Sequence, residues 1–171
     1  MKQIFYLLII SSLLSSSVLN MDSFEADFNQ IIIDEKGKKL SYSGYVVALK
    51  PQYALWSYKK PVIKNVYMTP NSVTVVEPDI EQAVIRKISS DLDFFKMIQK
   101  AKKITNNKYI ATLNASQYTI LLDNSLIQSI SYMDEFENKV TIFFTHQTKN
   151  KEISKDVFTI NIPFEYDIIR D

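Results

Sequence analysis

Ser23-Phe24-Glu25-Ala26-Asp27-Phe28-Asn29-Gln30 sets an apolar side chain at every second place, with acidic or amide residues between. Successive side chains of a strand point to opposite faces. This stretch therefore reads as a strand with Phe24, Ala26 and Phe28 toward a core and Glu25, Asp27 and Asn29 toward water. The same period runs on downstream. Asp34-Glu35-Lys36-Gly37 signals a turn, and Leu40, Tyr42, Val46 and Ala48 form one face of the next strand. Lys50-Pro51 breaks it. Ala54, Trp56 and Tyr58 share a face of a third strand, which Lys59-Lys60-Pro61 ends. Val62, Val66 and Met68 recur at even spacing, Thr69-Pro70-Asn71-Ser72 turns, and residues 73–76 and 82–88 extend again. Further strands are expected at 109–113, 118–122, 126–133, 140–146 and 157–162. Asn114, Asp123-Asn124, Asn138 and Asn150 supply the turns between them. Short strands at this spacing indicate an all-β meander, sandwich or barrel.

One segment breaks the period. Residues 90–103 read SDLDFFKMIQKAKK, with Phe94, Met97, Ile98 and Ala101 on one helical stripe. Ser89 or Ser90 can cap this helix. Asp91 and Asp93 sit where its dipole favours negative charge, and Lys100, Lys102 and Lys103 suit its C-terminal end. A lone amphipathic helix inside a long antiparallel sheet must lay its apolar stripe on that sheet.

Composition removes whole classes of function. The 171 residues are 46% hydrophobic and include no Cys, one His and only two Gly, enough for one ordinary domain with a sizeable core. Two glycines, Gly37 and Gly44, cannot write a dinucleotide-binding turn or a phosphate loop. Without Cys there is no thiol nucleophile, iron–sulfur cluster or disulfide, and His146 alone cannot build a multi-His metal site. Gly44, isolated within the second strand, marks a bend or bulge.

Lys2 followed by an unbroken apolar run, IFYLLII at 4–10, and then SSLLSSSVLN has the layout of an export leader. The run is too short and too serine-rich to span a bilayer well. Cleavage is expected near Ser17, with the boundary reaching at most residue 22, leaving a single domain over 18–171. Losing Lys2 leaves 19 basic against 19 acidic residues. That zero balance offers nothing for a phosphate backbone, so aromatic residues at 12% do not signal nucleic-acid stacking. An exported, disulfide-free domain follows.

Catalytic patterns are weak. The chain has neither a G-x-S-x-G elbow nor H-E-x-x-H. His146 ends a strand, and Asp91 and Asp93 are explained by helix capping. No catalytic residue, metal or cofactor is expected, and the protein is expected not to be an enzyme.

Several stretches resemble, in family order, the LolA-type periplasmic carriers of outer-membrane lipoproteins. The opening strand 23–30 is one. Leu49-Lys50-Pro51-Gln52-Tyr53-Ala54-Leu55-Trp56-Ser57-Tyr58-Lys59-Lys60-Pro61 is similar to that family's segment of basic residue, Pro, aromatic, Trp, aromatic and Pro. Glu77-Pro78-Asp79-Ile80-Glu81-Gln82 resembles its Pro-x-hydrophobic-Glu-Gln run. Residues 158–163 followed by Asp167-Ile168 resemble its closing strand. The resemblance implies an unclosed antiparallel β-barrel of about 11 strands with a helical lid over an apolar cavity. It implies a monomeric periplasmic chaperone that shields lipoprotein acyl chains. Such a carrier takes cargo from an inner-membrane ABC-type releasing complex and passes it to an outer-membrane acceptor. The alternative is a periplasmic lipid or glycolipid-binding or sensing module of the same fold.

On this resemblance the cavity and lid residues are Phe28, Tyr42, Val46, Trp56, Val66 and Met68 on the sheet, with Phe94, Met97 and Ile98 on the helix. Without it, all nine read as solid core. The lining is expected to be apolar and free of polar anchors, so that cargo is released. The family's lid-latching arginine before the proline is replaced by Lys50, a flexible three-donor cation in place of a planar five-donor fork. Lys50 is the expected latch.

Overall fold

Two turns of the same build show how the chain manages with so few glycines. In the computed structural model, which describes residues 19–88, 94–113 and 115–170, Asp34 Oδ1 accepts from the backbone N–H groups of Lys36 (2.9 Å) and Lys38 (2.8 Å). Gly37 stands there at φ +78°. A hundred residues on, Asp134 Oδ1 accepts from Phe136 and Asn138 N–H, both at 2.9 Å, and Glu137 takes the left-handed place at φ +61°. Ala115, Asn124, Ser125 and Asn150 also adopt positive φ, and so does His146, which does not end its strand but sits at a bulge inside Lys139–Lys149. Left-handed turns are thus made from residues that carry a conformational penalty glycine would avoid.

The turns connect strands β1 (Ser23–Ile33), β2 (Lys39–Leu49), β3 (Tyr53–Lys60), β4 (Lys64–Met68), β5 (Ser72–Glu77) and β6 (Gln82–Lys87). A short helix α1 (Phe94–Gln99) follows, then β7 (Lys102–Lys103), β8 (Lys108–Leu113), β9 (Ser116–Asp123), β10 (Leu126–Met133), β11 (Lys139–Lys149) and β12 (Asp167–Arg170). All twelve strands join one sheet in the order β12-β6-β5-β4-β3-β2-β1-β11-β10-β9-β8-β7. Two meanders therefore meet at the β1–β11 pair, and β12 and β7 are left as the two edges.

The sheet is open but strongly curled. Neighbouring strands lie ~4.8 Å apart, so β4 and β8, seven places apart in the order, would be roughly 34 Å apart in a flat sheet. Yet Val66 and Met68 of β4 and Leu113 of β8 face one cavity. Gly44 helps the sheet bend. The β2–β3 register shifts between Ser43 and Gly44, and a Cβ there would strike the Ser57 carbonyl oxygen and come within 2.9 Å of Phe28 Cζ. The bend expected at this glycine is a bulge.

The inward face of β1 is Phe24, Ala26, Phe28 and Gln30, each no more than 8% exposed. It packs with Val46, Ala48, Ala54, Ile120, Ile130 and Phe144 into one core, closed on the other side by Phe95, Met97 and Ile98 of α1. Leu19 and Met21, preceding β1, are buried in it too. Leu40 and Val62 are exceptions to the expected faces. Leu40 is exposed near the start of β2, and Val62 is exposed in the β3–β4 turn.

Several elements differ from expectation. Among the described residues the helix covers Phe94–Gln99 of the expected 90–103, and it stops short of 103 because Lys102 and Lys103 pair with Ile110 and Tyr109. Ala101 N–H bonds Ile98 O as the helix ends. The expected caps, Ser89, Ser90, Asp91 and Asp93, lie outside the described residues, as does Asn114. The strand expected at 157–162 is absent. Ser154 Oγ accepts from Asp156 N–H at 3.3 Å and starts a 3-10 turn over Lys155–Phe158, which buries Phe158 on Tyr53 with ring centroids 5.5 Å apart. The closing strand is β12, and it pairs with β6 in parallel, so the sheet is not wholly antiparallel.

Candidate functional site

The curled sheet and α1 form a partly open cavity of about 270 Å³. Its first wall is Trp56 and Tyr58 of β3, Val66 and Met68 of β4, and Gln30 of β1. Period two puts Trp56 and Tyr58 on one side of β3, and the β3–β4 register sets Val66 opposite Trp56. The second wall comes from the other meander: Leu113, Tyr118, Ile130, Tyr132, Ile142 and Phe144. Phe94 and Met97 of α1 form the roof.

Aromatic contacts hold the wall in place. Phe28 lies behind it, edge-on to Trp56 (5.1 Å) and to Tyr58 (5.0 Å). Phe24 meets Phe144 edge-on at 5.5 Å and Phe94 at 6.0 Å. Such pairs add directionality to plain apolar burial. Phe94, Trp56 and Phe144 also line a void of about 10 Å³ bounded by Phe24, Val46, Ala48 and Ala54. Phe94, Trp56 and Phe144 thus stand between the void and the cavity.

Among the described residues, no charged side chain lines the cavity. Lys64 Nζ sits 4.7 Å above the Tyr58 ring and 5.5 Å above that of Tyr42. Tyr58 Oη donates to Gln30 Oε1 at 2.9 Å. Burial, aided by Tyr132 and then Tyr42, pushes the Tyr58 hydroxyl up to about 12. Burial, aided by Tyr118 and Asp134, does the same to Tyr132. The lining is therefore neutral at any physiological pH, and it can pack apolar groups and donate a few hydrogen bonds.

Of the nine expected residues, the structure brings Trp56, Val66, Met68, Phe94 and Met97 to this cavity. Phe28 backs the wall, Val46 lines the small void, and Ile98 is buried in the core. Tyr42 stacks edge-on to Tyr58 at 5.9 Å, outside the lining. Among the described residues, Lys50 makes no hydrogen bond or ion pair with α1. Its Nζ pairs with Asp22 Oδ1 at 2.7 Å and its N–H donates to Asp22 O at 2.9 Å, at the root of the Leu19–Met21 segment. Sequence reasoning missed the whole second wall, with Gln30 and Tyr58. The alternation that marks it is in the sequence: Ile130 and Tyr132, like Ile142 and Phe144, are two apart. The expectation of a wholly apolar lining is corrected by Gln30 and the three tyrosines.

A larger depression, about 470 Å³, lies at the β9–β10 side. Its walls carry Ser116, Gln117, Thr119, Ser131, Asp134 and Lys139, which offer no continuous apolar surface. His146 is exposed and bonds Asp27 Oδ2 at 2.9 Å. Among the described residues no cluster of three or more His, Asp or Glu could hold a metal ion, and no helix is long and apolar enough to cross a membrane.

Comparison with known proteins adds a family. Residues 19–97 match the family described as "Outer membrane lipoprotein carrier protein LolA". The chain is 42% identical over 152 residues to the outer-membrane lipoprotein carrier protein of Campylobacter jejuni, covering 89% of each chain. It is 35% identical to that of Helicobacter pylori strain J99, covering 88% of this chain and 82% of the relative. In fold it is similar to a LolA superfamily protein from Nitrosomonas europaea (TM-score 0.52, 10% identity, 82% of this chain and 91% of that one). It is also similar to an uncharacterized conserved protein from Thermus thermophilus (TM-score 0.54, 11% identity, 90% and 93%).

Proposed function

The chain belongs to the outer-membrane lipoprotein carrier family, and on that premise we propose that it is a periplasmic chaperone that carries lipoproteins by their acyl chains from the inner to the outer membrane. The carrying observation is the uncharged cavity held between two meanders and roofed by Phe94 and Met97.

The physical need is large. One chain of roughly 16 carbons, at ~0.8 kcal/mol per CH₂, costs on the order of 13 kcal/mol to expose to water. A carrier must remove that cost and still let go. Here the roof is apolar and the cargo is apolar. A chain that displaces Phe94 and Met97 exchanges one set of van der Waals contacts for another, so loading and release are both near balance. Short helices have little stability of their own in water, so α1 is held by the burial of Phe95, Met97 and Ile98. Lifting it enlarges the present 270 Å³, which lies just below the range of small-molecule sites of ~300–1,000 Å³.

In this reading Trp56, Val66, Met68, Phe94 and Met97 touch the chain, and Phe28, Tyr42, Val46 and Ile98 hold their neighbours in place. Lys50 tethers the Leu19–Met21 segment through Asp22, and that segment shares its core with the lid residues Phe95, Met97 and Ile98. The leader is removed near Ser17. A cut as late as 22 would strip Leu19 and Met21, each 2% exposed, from the core. The carrier works as a monomer without catalysis, taking cargo from an ABC-type releasing complex and handing it to an outer-membrane acceptor. Mass spectrometry of the protein purified from a periplasmic fraction tests the reading. Bound acylated lipoprotein is expected. Free lipid would favour a general lipid-binding module, and a protein with no lipid would overturn the proposal.

A further inference from the structure

One end of the cavity is built from hydrogen-bond donors. Gln30, Tyr58, Tyr118 and Tyr132 converge there from β1, β3, β9 and β10. Gln30 is 8% exposed, and its Oε1 accepts from Tyr58 Oη at 2.9 Å. The rings of Tyr118 and Tyr132 lie 5.0 Å apart, and Tyr132 is close enough to Tyr58 to act on its ionisation. The Tyr58–Gln30 bond uses the amide oxygen and leaves the amide nitrogen. Among the described residues, nothing bonds Gln30 Nε2 or the hydroxyls of Tyr118 and Tyr132. No buried side-chain polar atom lacks a partner among those residues. These three groups are therefore accessible, and the side chains that carry them line the cavity.

Their chemistry is selective. All three can donate, and among the described residues no cation or carboxylate lines the cavity to match a charged head. The hydroxyls stay protonated, since burial raises those of Tyr58 and Tyr132 to about 12. The opposite end, at Phe94, Trp56 and Phe144, is wholly apolar. A ligand that fits has a neutral acceptor at one end and hydrocarbon beyond it.

We infer that the Gln30–Tyr58–Tyr118–Tyr132 cluster is a carbonyl subsite, which binds the ester or amide carbonyl of an acyl chain and fixes the direction in which that chain lies along the cavity. This rests on the reading of the cavity as an acyl-chain site. It adds a preference that an apolar pocket alone lacks, since hydrocarbon contacts are non-directional. Tyr58 positions Gln30, and Gln30 and Tyr132 make the contacts.

Trp56 is the single Trp of the chain and lines the cavity, so its fluorescence reports occupancy. The probes are 1,2-dioctanoylglycerol and its dialkyl ether analogue, equal in chain length and charge and differing in the two carbonyls. Wild-type protein is expected to bind the ester about tenfold more tightly than the ether. Tyr132→Phe and Gln30→Leu, singly and together, should bring the ester-to-ether affinity ratio down to about one. Circular dichroism and cooperative urea unfolding show that the variants are folded. Equal binding of ester and ether by the wild type would overturn the subsite alone, as would a preference that persists in the double variant. Failure of both probes to bind would overturn the acyl-chain cavity with it.

Discussion

Gly44→Ala should damage the protein far more than its size suggests. A Cβ at Gly44 collides with the Ser57 carbonyl oxygen across the β2–β3 bulge, and lies 2.9 Å from Ser57 C and 2.9 Å from Phe28 Cζ. Two of the three obstacles are backbone atoms of a paired strand, which cannot swing aside as a flexible side chain can. Overpacking of this kind costs ~1–3 kcal/mol, and a backbone obstacle puts the cost high in that range. Alanine's smaller unfolded-state entropy returns ~0.4–1 kcal/mol. The net loss is about 2 kcal/mol, or roughly 4–8 °C in Tm for a chain of this size. The damage has a direction. Phe28 is wedged between Gly44 on one side and Trp56 and Tyr58 on the other, so relief of the clash drives it toward the cavity wall. Urea unfolding gives the energy, and Trp56 emission gives the local shift. Gly37→Ala is the control. It meets nothing within 4 Å and is strained only by φ +78°, so it should cost about 1 kcal/mol and leave Trp56 emission unchanged. Wild-type stability with unaltered emission in Gly44→Ala would refute the link between this glycine, the bulge and the cavity.

Phe94→Glu places a carboxylate against the apolar end of the cavity and should weaken acyl-chain binding at least tenfold at neutral pH; unchanged binding by Trp56 titration would remove Phe94 from the roof. Lys50→Leu breaks a pair with Asp22 that is largely exposed on the carboxylate side. It should lower stability in urea by less than about 1 kcal/mol while altering cargo loading; wild-type loading would contradict the tether. Glu137→Gly relieves a left-handed residue at φ +61° and should stabilise the β10–β11 turn by about 0.5–1 kcal/mol, read by thermal unfolding. Tyr58 and Tyr132 ionise near 10 when unfolded but near 12 when folded, so the unfolded chain releases its protons first. Stability is therefore intact below about pH 10 and falls between about pH 10 and 12. The double Tyr58→Phe, Tyr132→Phe variant should fall less steeply in urea titrations across that range.

The strands were legible because one face of the sheet is buried and the other wet. The β1 face from Phe24 through Phe28 follows the sequence alternation residue by residue. Gly44 was legible as an irregularity, since an isolated strand glycine has few other uses. The length of α1 was not. The stripe Phe94, Met97, Ile98 and Ala101 is consistent with a longer helix, and only the distant partner strand at Tyr109 and Ile110 claims Lys102 and Lys103. The same limit hid the 3-10 turn at Lys155–Phe158, whose alternating sequence is diverted by Tyr53, about a hundred residues earlier. Parity named the half of the cavity nearest the recognised motifs. The other half, from Leu113 to Phe144, depends on how far the sheet curls, and strand order sets that. Gln30 lies on the face that parity assigns to the core, but a polar residue there carries no sign of whether it is spent on a neighbour or faces open space.

The most direct test of the carrier function is release of a triacylated lipoprotein from inner-membrane vesicles that contain its ABC-type releasing complex. With ATP and this protein in the bath, the lipoprotein should leave the membrane as a soluble complex of one carrier and one cargo. Phe94→Glu should abolish that release while leaving ATP hydrolysis intact. Lipoprotein that stays on the vesicles at every carrier concentration would contradict the account.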